Sequence, residues 1–300
     1  METLNVSIVF PILNNLSDTL RCLNSIQNLN FPKNKLEVII FDNGSTDNSE
    51  QIIKRKYPKT IIIKSTKNLG FAKAVNRTVK KTRGKYLFIT NNDVVFDKNS
   101  LNNLVTFLIN SPKVGIAGPK IYNLKNKKEI LGRPLFYHFS FGTFSQGKVT
   151  QNPTPVDWVQ GCGLCISKQL WNQLKGFDEG FFFTGEELDL CLRAKYLGYK
   201  VIYYPKATIW HGVGATISKP ELKDFRYFQG YKSKFRLIIK HGKVYNLLSS
   251  LVLQLFIFAP YRLLILKEKS LIPLMKALLW NFKNIQLTLT LKRKMQLKST

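Results

Sequence analysis

Apolar and polar positions come in blocks along the first hundred residues, and their period changes from block to block. VSIVFPI (6–12), EVIIFD (37–42), TIIIKS (60–65) and KYLFITNND (85–93) are apolar runs of strand length. Between them lie stretches with helical spacing. After Ser17, read as a helix cap, Leu20, Leu23 and Ile26 fall on one face; SEQIIKRKY (49–57) is a second helix, and FAKAVNRTVKKTRG (71–84) a third, closed by Gly84. Strands that are hydrophobic throughout belong in a sheet covered on both faces. The β-α-β-α order therefore predicts an α/β fold with a mostly parallel sheet.

Residues 120–155 lose this periodicity and read as loop. A second ordered block follows at 157–214, in which GEELDLCLRAKYLGY is a helix with acids in its first turn and Arg193 and Lys195 later. Acids there favour the positive end of the helix dipole. KVIYYP and ATIWH read as two short strands, the second delivering His211 to a glycine-rich turn. From 223 to 300 there are sixteen Lys or Arg against two acids, Asp224 and Glu268, yet VYNLLSSLVLQLFIFAPY (244–261) has no charge at all. Asn246, Ser249, Ser250 and Gln254 form a polar stripe along it, and LIPLMKALLWNF (271–282) is flanked by lysines. This pattern predicts a helical extension lying in a membrane interface better than one spanning it. An ordinary helical cap on the core is the alternative.

Composition narrows the class. At 300 residues and 44% apolar content the chain can bury a large core, and its net charge of +28 favours polyanionic partners: nucleotide phosphates, an anionic membrane face or nucleic acid. No nucleic-acid-binding module is visible, so no specific nucleic acid is expected. Four cysteines give no disulfide framework; Cys162 and Cys165 form a single CxxC, which reads as small buried residues in a strand. The N-terminus has neither a basic n-region nor a small-residue cleavage site, which suggests a cytoplasmic setting without a signal peptide. No GxGxxG follows any strand. Asp42 and Asp93, however, both sit at the carboxyl ends of strands, where ligands bind in open sheets of this type.

Four stretches, in this order, resemble the family 2 glycosyltransferases, inverting enzymes of the GT-A fold, and in particular the rhamnosyltransferase-like and polysaccharide-building members. They are VSIVFPILNN, IIFDNGSTDNS, NLGFAKAVNRTVKKTRGKYLFITNNDVVF and GFDEGFFFTGEELDLCLRAKYLGYKVIYYPKATIWHGVG. The resemblance implies a glycosyltransferase domain over residues 1–235, with a nucleotide-sugar half at 1–120 and an acceptor half at 155–220, followed by the basic extension at 236–300. It puts Asp42 at the donor's base, with Pro11, Asn43, Asn68, Lys73 and Asn92 in the nucleotide-binding set. Asp93 takes the last position of the DxD motif, whose first acid is here Asn91, so that one carboxylate stands where relatives have two. With His211, Asp93 would hold Mn²⁺ or Mg²⁺ on the donor diphosphate. Glu187 falls at the catalytic base, with Glu186 its rival, and Trp158, Gly161 and Asp189 fall on the acceptor side.

The implied reaction is hexosyl transfer with inversion from a UDP- or dTDP-linked sugar to a saccharide or lipid-linked acceptor, on the inner membrane face. One carboxylate together with diphosphate oxygens suffices for a hard divalent cation that keeps its waters. Other readings of the same residues stay open. Asp189 is placed to pair with Arg193 at i, i+4, and His211 fits an ordinary core position. The substitution at Asn91 also admits a catalytically weak scaffold.

Overall fold

The computed structural model describes residues 5–212, 222–267 and 270–296. The glycine-rich turn expected after His211 lies outside these beyond Gly212. Contacts divide the chain into two compact units. The first comprises 1–134, 147–182 and 186–213; the second comprises 135–146, 183–185 and 214–300. The expected boundary at 235 falls inside a helix of the second.

In the first unit the elements run β1 (Val6–Ile12), α1 (Leu16–Gln27), β2 (Leu36–Asp42), α2 (Ser49–Lys56), β3 (Ile61–Lys64), α3 (Phe71–Val79), β4 (Tyr86–Thr90), β5 (Val94–Phe96), α4 (Ser100–Ile109), β6 (Val114–Asn123) and β7 (Ile130–Gly132). Two strands of the second unit follow, β8 (Leu135–His138) and β9 (Thr143–Gln146). The first unit then resumes with β10 (Thr154–Pro155), β11 (Gly163–Ser167), α5 (Lys168–Leu174), α6 (Glu186–Tyr196) and β12 (Lys200–His211).

Strands β3, β2, β1 and β4 pair in parallel; β2, β1 and β4 are largely buried as expected, whereas β3 is the sheet edge and leaves Ile61 exposed. The sheet continues through β11, antiparallel to β4 and β6, and through β12, which runs parallel to β6. One apolar layer gathers Cys22, Leu23 and Ile26 of α1, Ile53 of α2 and Leu101, Leu104 and Leu108 of α4. The other gathers Ala72, Val75 and Val79 of α3 with Leu190, Cys191 and Ala194 of α6. This is the three-layer arrangement expected of a GT-A fold.

Several local expectations are corrected. Helix α1 starts at Leu16, and its cap position is Asn15, in the left-handed region at φ 63°; Ser17 already lies inside the helix. Helix α3 ends at Val79, because Thr82 folds its hydroxyl back onto the Val79 carbonyl. The stretch read as loop at 120–155 carries short strands. These strands are two to four residues long, too short to show a period, although β7 pairs with the end of β6 and β8 with β9 close by in the chain. KVIYYP and ATIWH are one strand, β12, whose register breaks between Tyr204 and Thr208.

The second unit holds the β8–β9 hairpin and the helices α7 (Lys223–His241), α8 (Val244–Leu253), α9 (Ala259–Leu264), α10 (Leu271–Lys283) and α11 (Ile285–Gln296). A π-helical stretch, Gln254–Phe258, joins α8 to α9, giving one apolar helix over Val244–Leu264. Polarity in this unit is inverted. Gln229, Lys232, Ser233, Arg236 and Lys240 of α7 are buried, whereas Val244, Leu248, Phe256, Leu264, Ile272 and Phe282 are exposed. The polar stripe faces inward: Asn246 Nδ2 donates to Ser140 Oγ at 2.9 Å, and Ser249 Oγ to the Ser140 carbonyl at 2.8 Å. Lys234 Nζ donates to Gln254 Oε1 at 3.1 Å.

Candidate active site

Asp42 ends β2 and is buried; its Oδ1 accepts the Ser45 backbone N–H at 2.7 Å, which closes the DNGS turn. Gly44 in that turn takes φ +94°, and a Cβ there would press on the Lys67 backbone at 3.3 Å. Asn43 bridges to the neighbouring loop. Its Nδ2 donates to Asn68 Oδ1 at 2.9 Å, and its Oδ1 accepts from Leu69 N at 2.8 Å. Asn68 Oδ1 in turn accepts the Gly70 N–H. Asp42, Asn43 and Asn68 thus form one connected edge at the strand ends, beside which Pro11 is the next-to-last residue of β1. Asn14, which the sequence reading passed over, fastens β1's loop to the same turn: its Oδ1 accepts from Thr46 N at 2.8 Å.

Helix α3 begins at this edge. A Cβ on Gly70 (φ +80°) would stand 2.5 Å from the Phe182 carbonyl, which instead accepts the Phe71 N–H at 2.7 Å. Asn76 ties the same helix to the Phe177 backbone in both directions, at 2.9 Å each. Lys73 reaches Glu179 at 3.9 Å across a largely exposed gap.

Asp93 follows β4 in the NND turn. The antiparallel pairing of β5 with β12 sets Val94 opposite His211, so that His211 Nε2 lies 3.1 Å from Asp93 Oδ1. The Gly212 N–H donates to the Asp93 carbonyl at 2.9 Å, and a Cβ on Gly212 would crowd the Asp93 side chain at 3.2 Å. Asn91 Nδ2 stands 3.2 Å from the same ring nitrogen, and Asn92 Nδ2 is turned away to Thr19 Oγ1 at 3.0 Å. Burial works against charge on the His211 ring. Cys162 and the Asp93 carboxylate beside it outweigh that, and its proton affinity is held well above the ordinary histidine range. Cys162, read from sequence only as a small strand residue, sits just before β11, which pairs with β4. Its carbonyl accepts from Thr90 Oγ1 at 2.8 Å, which pins it to the end of β4.

Glu186 and Glu187 open α6. Thr184 and Gly185 before them both take positive φ, 64° and 97°, and for a β-branched threonine that is an unusual backbone state. Glu186 is buried and Glu187 half-buried. Gly161 lies against Glu187: a Cβ at 161 would sit 3.9 Å from the Glu187 carboxyl carbon. Residues 161 and 162 consequently lie between Glu187 and the end of β4.

Asp189 does not open onto this space. It is fully buried and accepts Arg193 Nε at 2.8 Å, while the other two guanidinium nitrogens donate to the Leu174 and Gly176 carbonyls. The acceptor role for Asp189 is set aside on that ground, and the i, i+4 pair stands. Trp158 is half-buried and packs on the apolar layer shared by α3 and α6.

Asp93 and His211 supply one carboxylate oxygen and one imidazole nitrogen within 3.1 Å of each other, a donor pair suited to a divalent cation that draws its remaining ligands from water or phosphate. Among the described residues no group of three or more His, Cys, Asp or Glu side chains could by itself enclose a metal ion.

The family model of glycosyl transferase family 2 matches residues 7–169, more than half of the chain. The chain belongs to glycosyl transferase family 2. It is 26% identical over 203 residues to the N-acetylglucosaminyl-diphospho-decaprenol L-rhamnosyltransferase of Mycobacterium tuberculosis, covering 59% of this chain and 66% of that protein. Matches to curated relatives cover from 15% to 66% of those proteins' length. Two solved structures share the fold. The mannosyltransferase PcManGT of Pyrobaculum calidifontis, in complex with GDP-Man and Mn²⁺, aligns with TM-score 0.62 and 18% identity over 98% of this chain and 84% of its own. S. aureus TarS 1–349 in complex with UDP-GlcNAc aligns with TM-score 0.65 and 15% identity over 99% and 89%. The expected GT-A architecture is accordingly the one observed.

Proposed function

We propose that this chain transfers a hexosyl group with inversion from a nucleoside diphosphate sugar to a lipid-linked saccharide at an anionic membrane face, in cell-surface polysaccharide synthesis. The observation that carries this reading is geometric: Gly161 lies against Glu187, and the carbonyl of the next residue, Cys162, accepts from Thr90 at the end of β4, three residues before Asp93. Inversion is a single in-line displacement. Glu187 takes the proton of the acceptor hydroxyl as its oxygen attacks the anomeric carbon, and the bond to the nucleoside diphosphate breaks on the opposite side. Asp93 and His211 would hold a divalent cation, which supplies charge neutralisation to the departing diphosphate. Asp42, Asn43 and Asn68 receive the nucleoside through their connected edge. The lipid-linked acceptor is supported by the rhamnosyltransferase relative, whose name specifies a diphospho-decaprenol substrate, and by the basic, outwardly apolar second unit.

Thermal unfolding of the full chain with UDP, dTDP and GDP, each with and without Mn²⁺, tests the reading, because a ligand that binds only the native state raises apparent stability. One nucleoside diphosphate is expected to stabilise the chain more with Mn²⁺ than without it, and the corresponding nucleotide sugar to be slowly hydrolysed. A chain indifferent to all three nucleotides and to the metal would overturn it.

A further inference from the structure

Helices α7 and α10 enclose a groove of about 500 Å³, within the usual range for a single small ligand. Its walls are apolar, formed by Phe225, Phe228, Ile272, Pro273, Leu279 and Trp280, with Lys276 and Lys283 and one acid, Asp224, among the lining groups. The groove is also backed by positive charge. Lys232 Nζ lies 4.8 Å from the centre of the Trp280 ring and Arg236 5.6 Å from it, and both cations are buried. Asp224 is the one acid among the described residues of the second unit. An apolar trough with cations on and behind its walls favours a ligand with a hydrocarbon body and an anionic head. The outward apolar surface of the same unit suits a setting where such ligands are dissolved in lipid. A water-soluble anion such as a free sugar phosphate would leave the aromatic walls unused.

We infer that this groove seats the hydrocarbon chain of a phosphorylated lipid, with Lys276 and Lys283 on its phosphate. The site is additional to the strand-end residues already described, and it rests on the reading that the acceptor is lipid-linked. In physical terms the groove gives the acceptor a hold independent of its sugar. Apolar burial supplies the affinity, and the two lysines choose an anionic head over a neutral lipid.

The test is photolabelling of the full chain with a diazirine-bearing farnesyl diphosphate, followed by peptide mapping. Label is expected on 223–228 and 272–283, displaced by unlabelled farnesyl diphosphate and not by inorganic diphosphate. The pair of substitutions Lys276→Gln and Lys283→Gln should cut that labelling several-fold while leaving nucleotide-induced thermal shifts and donor hydrolysis unchanged. Those two measurements report the proposed transferase reading separately from the lipid site. Label confined to 244–266 would be non-specific contact with the apolar helix and would overturn the proposal. Displacement by inorganic diphosphate alone, or labelling indifferent to both lysines, would overturn it as well.

Discussion

His211 Nε2 stands 3.1 Å from Asp93 Oδ1 because β5 and β12 pair antiparallel with Val94 opposite His211. The contact favours the protonated ring, so in the proposed metal-holding role a cation would have to displace that proton.

That competition fixes a pH dependence. The pKa of His211 is raised in the folded chain, burial being outweighed by Cys162 and Asp93. Its contribution to stability is therefore fully present below the ordinary histidine value of about 6.5 and is lost as pH rises through the higher folded value. A cation held by Asp93 and His211 as proposed needs the neutral ring, so Mn²⁺ binding is expected to release the proton and to tighten as pH rises from about 6.5 toward the raised folded value of about 11. Calorimetric titration in two buffers of different ionisation enthalpy measures both the affinity and the proton released. Asp93→Asn should lower the pKa of the ring, seen by NMR, and remove metal-dependent donor turnover while the fold persists. An affinity that does not change with pH would contradict the pair's role.

Glu187 is tested against its neighbour. Loss of a general base typically costs about 10²–10⁴-fold in rate. Glu187→Gln should therefore lower kcat on that scale and leave nucleotide affinity nearly unchanged, since the base meets the acceptor and not the diphosphate. Glu186→Gln is the control. A dead Glu186 variant beside an active Glu187 variant would move the base by one position; two active variants would place it elsewhere.

The first four strands and their order along the chain were legible because parallel strands of this kind are apolar runs, as in β1 and β2, and need no partner to be seen; β5 and β6 were not read. Asp42 and Asp93 were legible for a related reason: each is a polar residue at the end of such a run. Other features depend on neighbours remote in the chain. Nothing local marks Cys162 as a neighbour of His211; only the pairing of β11 with β4 and of β12 with β5 brings them together. The short strands β7 to β10 carry no period long enough to read. The inward turn of the polar stripe on α8 depends on Ser140, more than a hundred residues earlier in the chain.

Asp189 is expected to act on stability. Its carboxylate is fully buried against Arg193, which also holds two carbonyls of the segment leading to Gly176. Removing one partner of such a pair leaves a buried charge uncompensated, at a cost of about 3–5 kcal/mol. Asp189→Ala should unfold at markedly lower denaturant concentration than the wild type. Where enough folded protein remains, its KM for nucleotide sugar should be close to the wild-type value. Unchanged stability with a raised acceptor KM would restore the acceptor role set aside above.

The apolar helix Val244–Leu264 has 21 residues, enough at 1.5 Å per residue to cross a bilayer core of about 30 Å. Its partners favour the proposed in-plane placement instead. Asn246 and Ser249 are bonded to Ser140 in the hairpin, and Gln254 is bonded to Lys234 of α7. A spanning orientation would carry these partners into hydrocarbon, together with Lys232, Arg236 and Lys240 of the same helix. Each charged side chain at the membrane centre costs about 2.5–3.5 kcal/mol on insertion scales. Lying flat, the unit would immerse Leu248, Phe256 and Leu264 while its basic residues would meet anionic headgroups. Full-length chain should therefore float with anionic vesicles and less with neutral ones, and Phe256→Asp together with Leu264→Asp should weaken that flotation. Cysteines placed at Lys243 and Lys267, one at each end of the helix, should both react with a membrane-impermeant maleimide added outside the vesicles. Reaction at one end only would mean that the helix crosses, and the in-plane reading would fall even though the chain stayed membrane-bound.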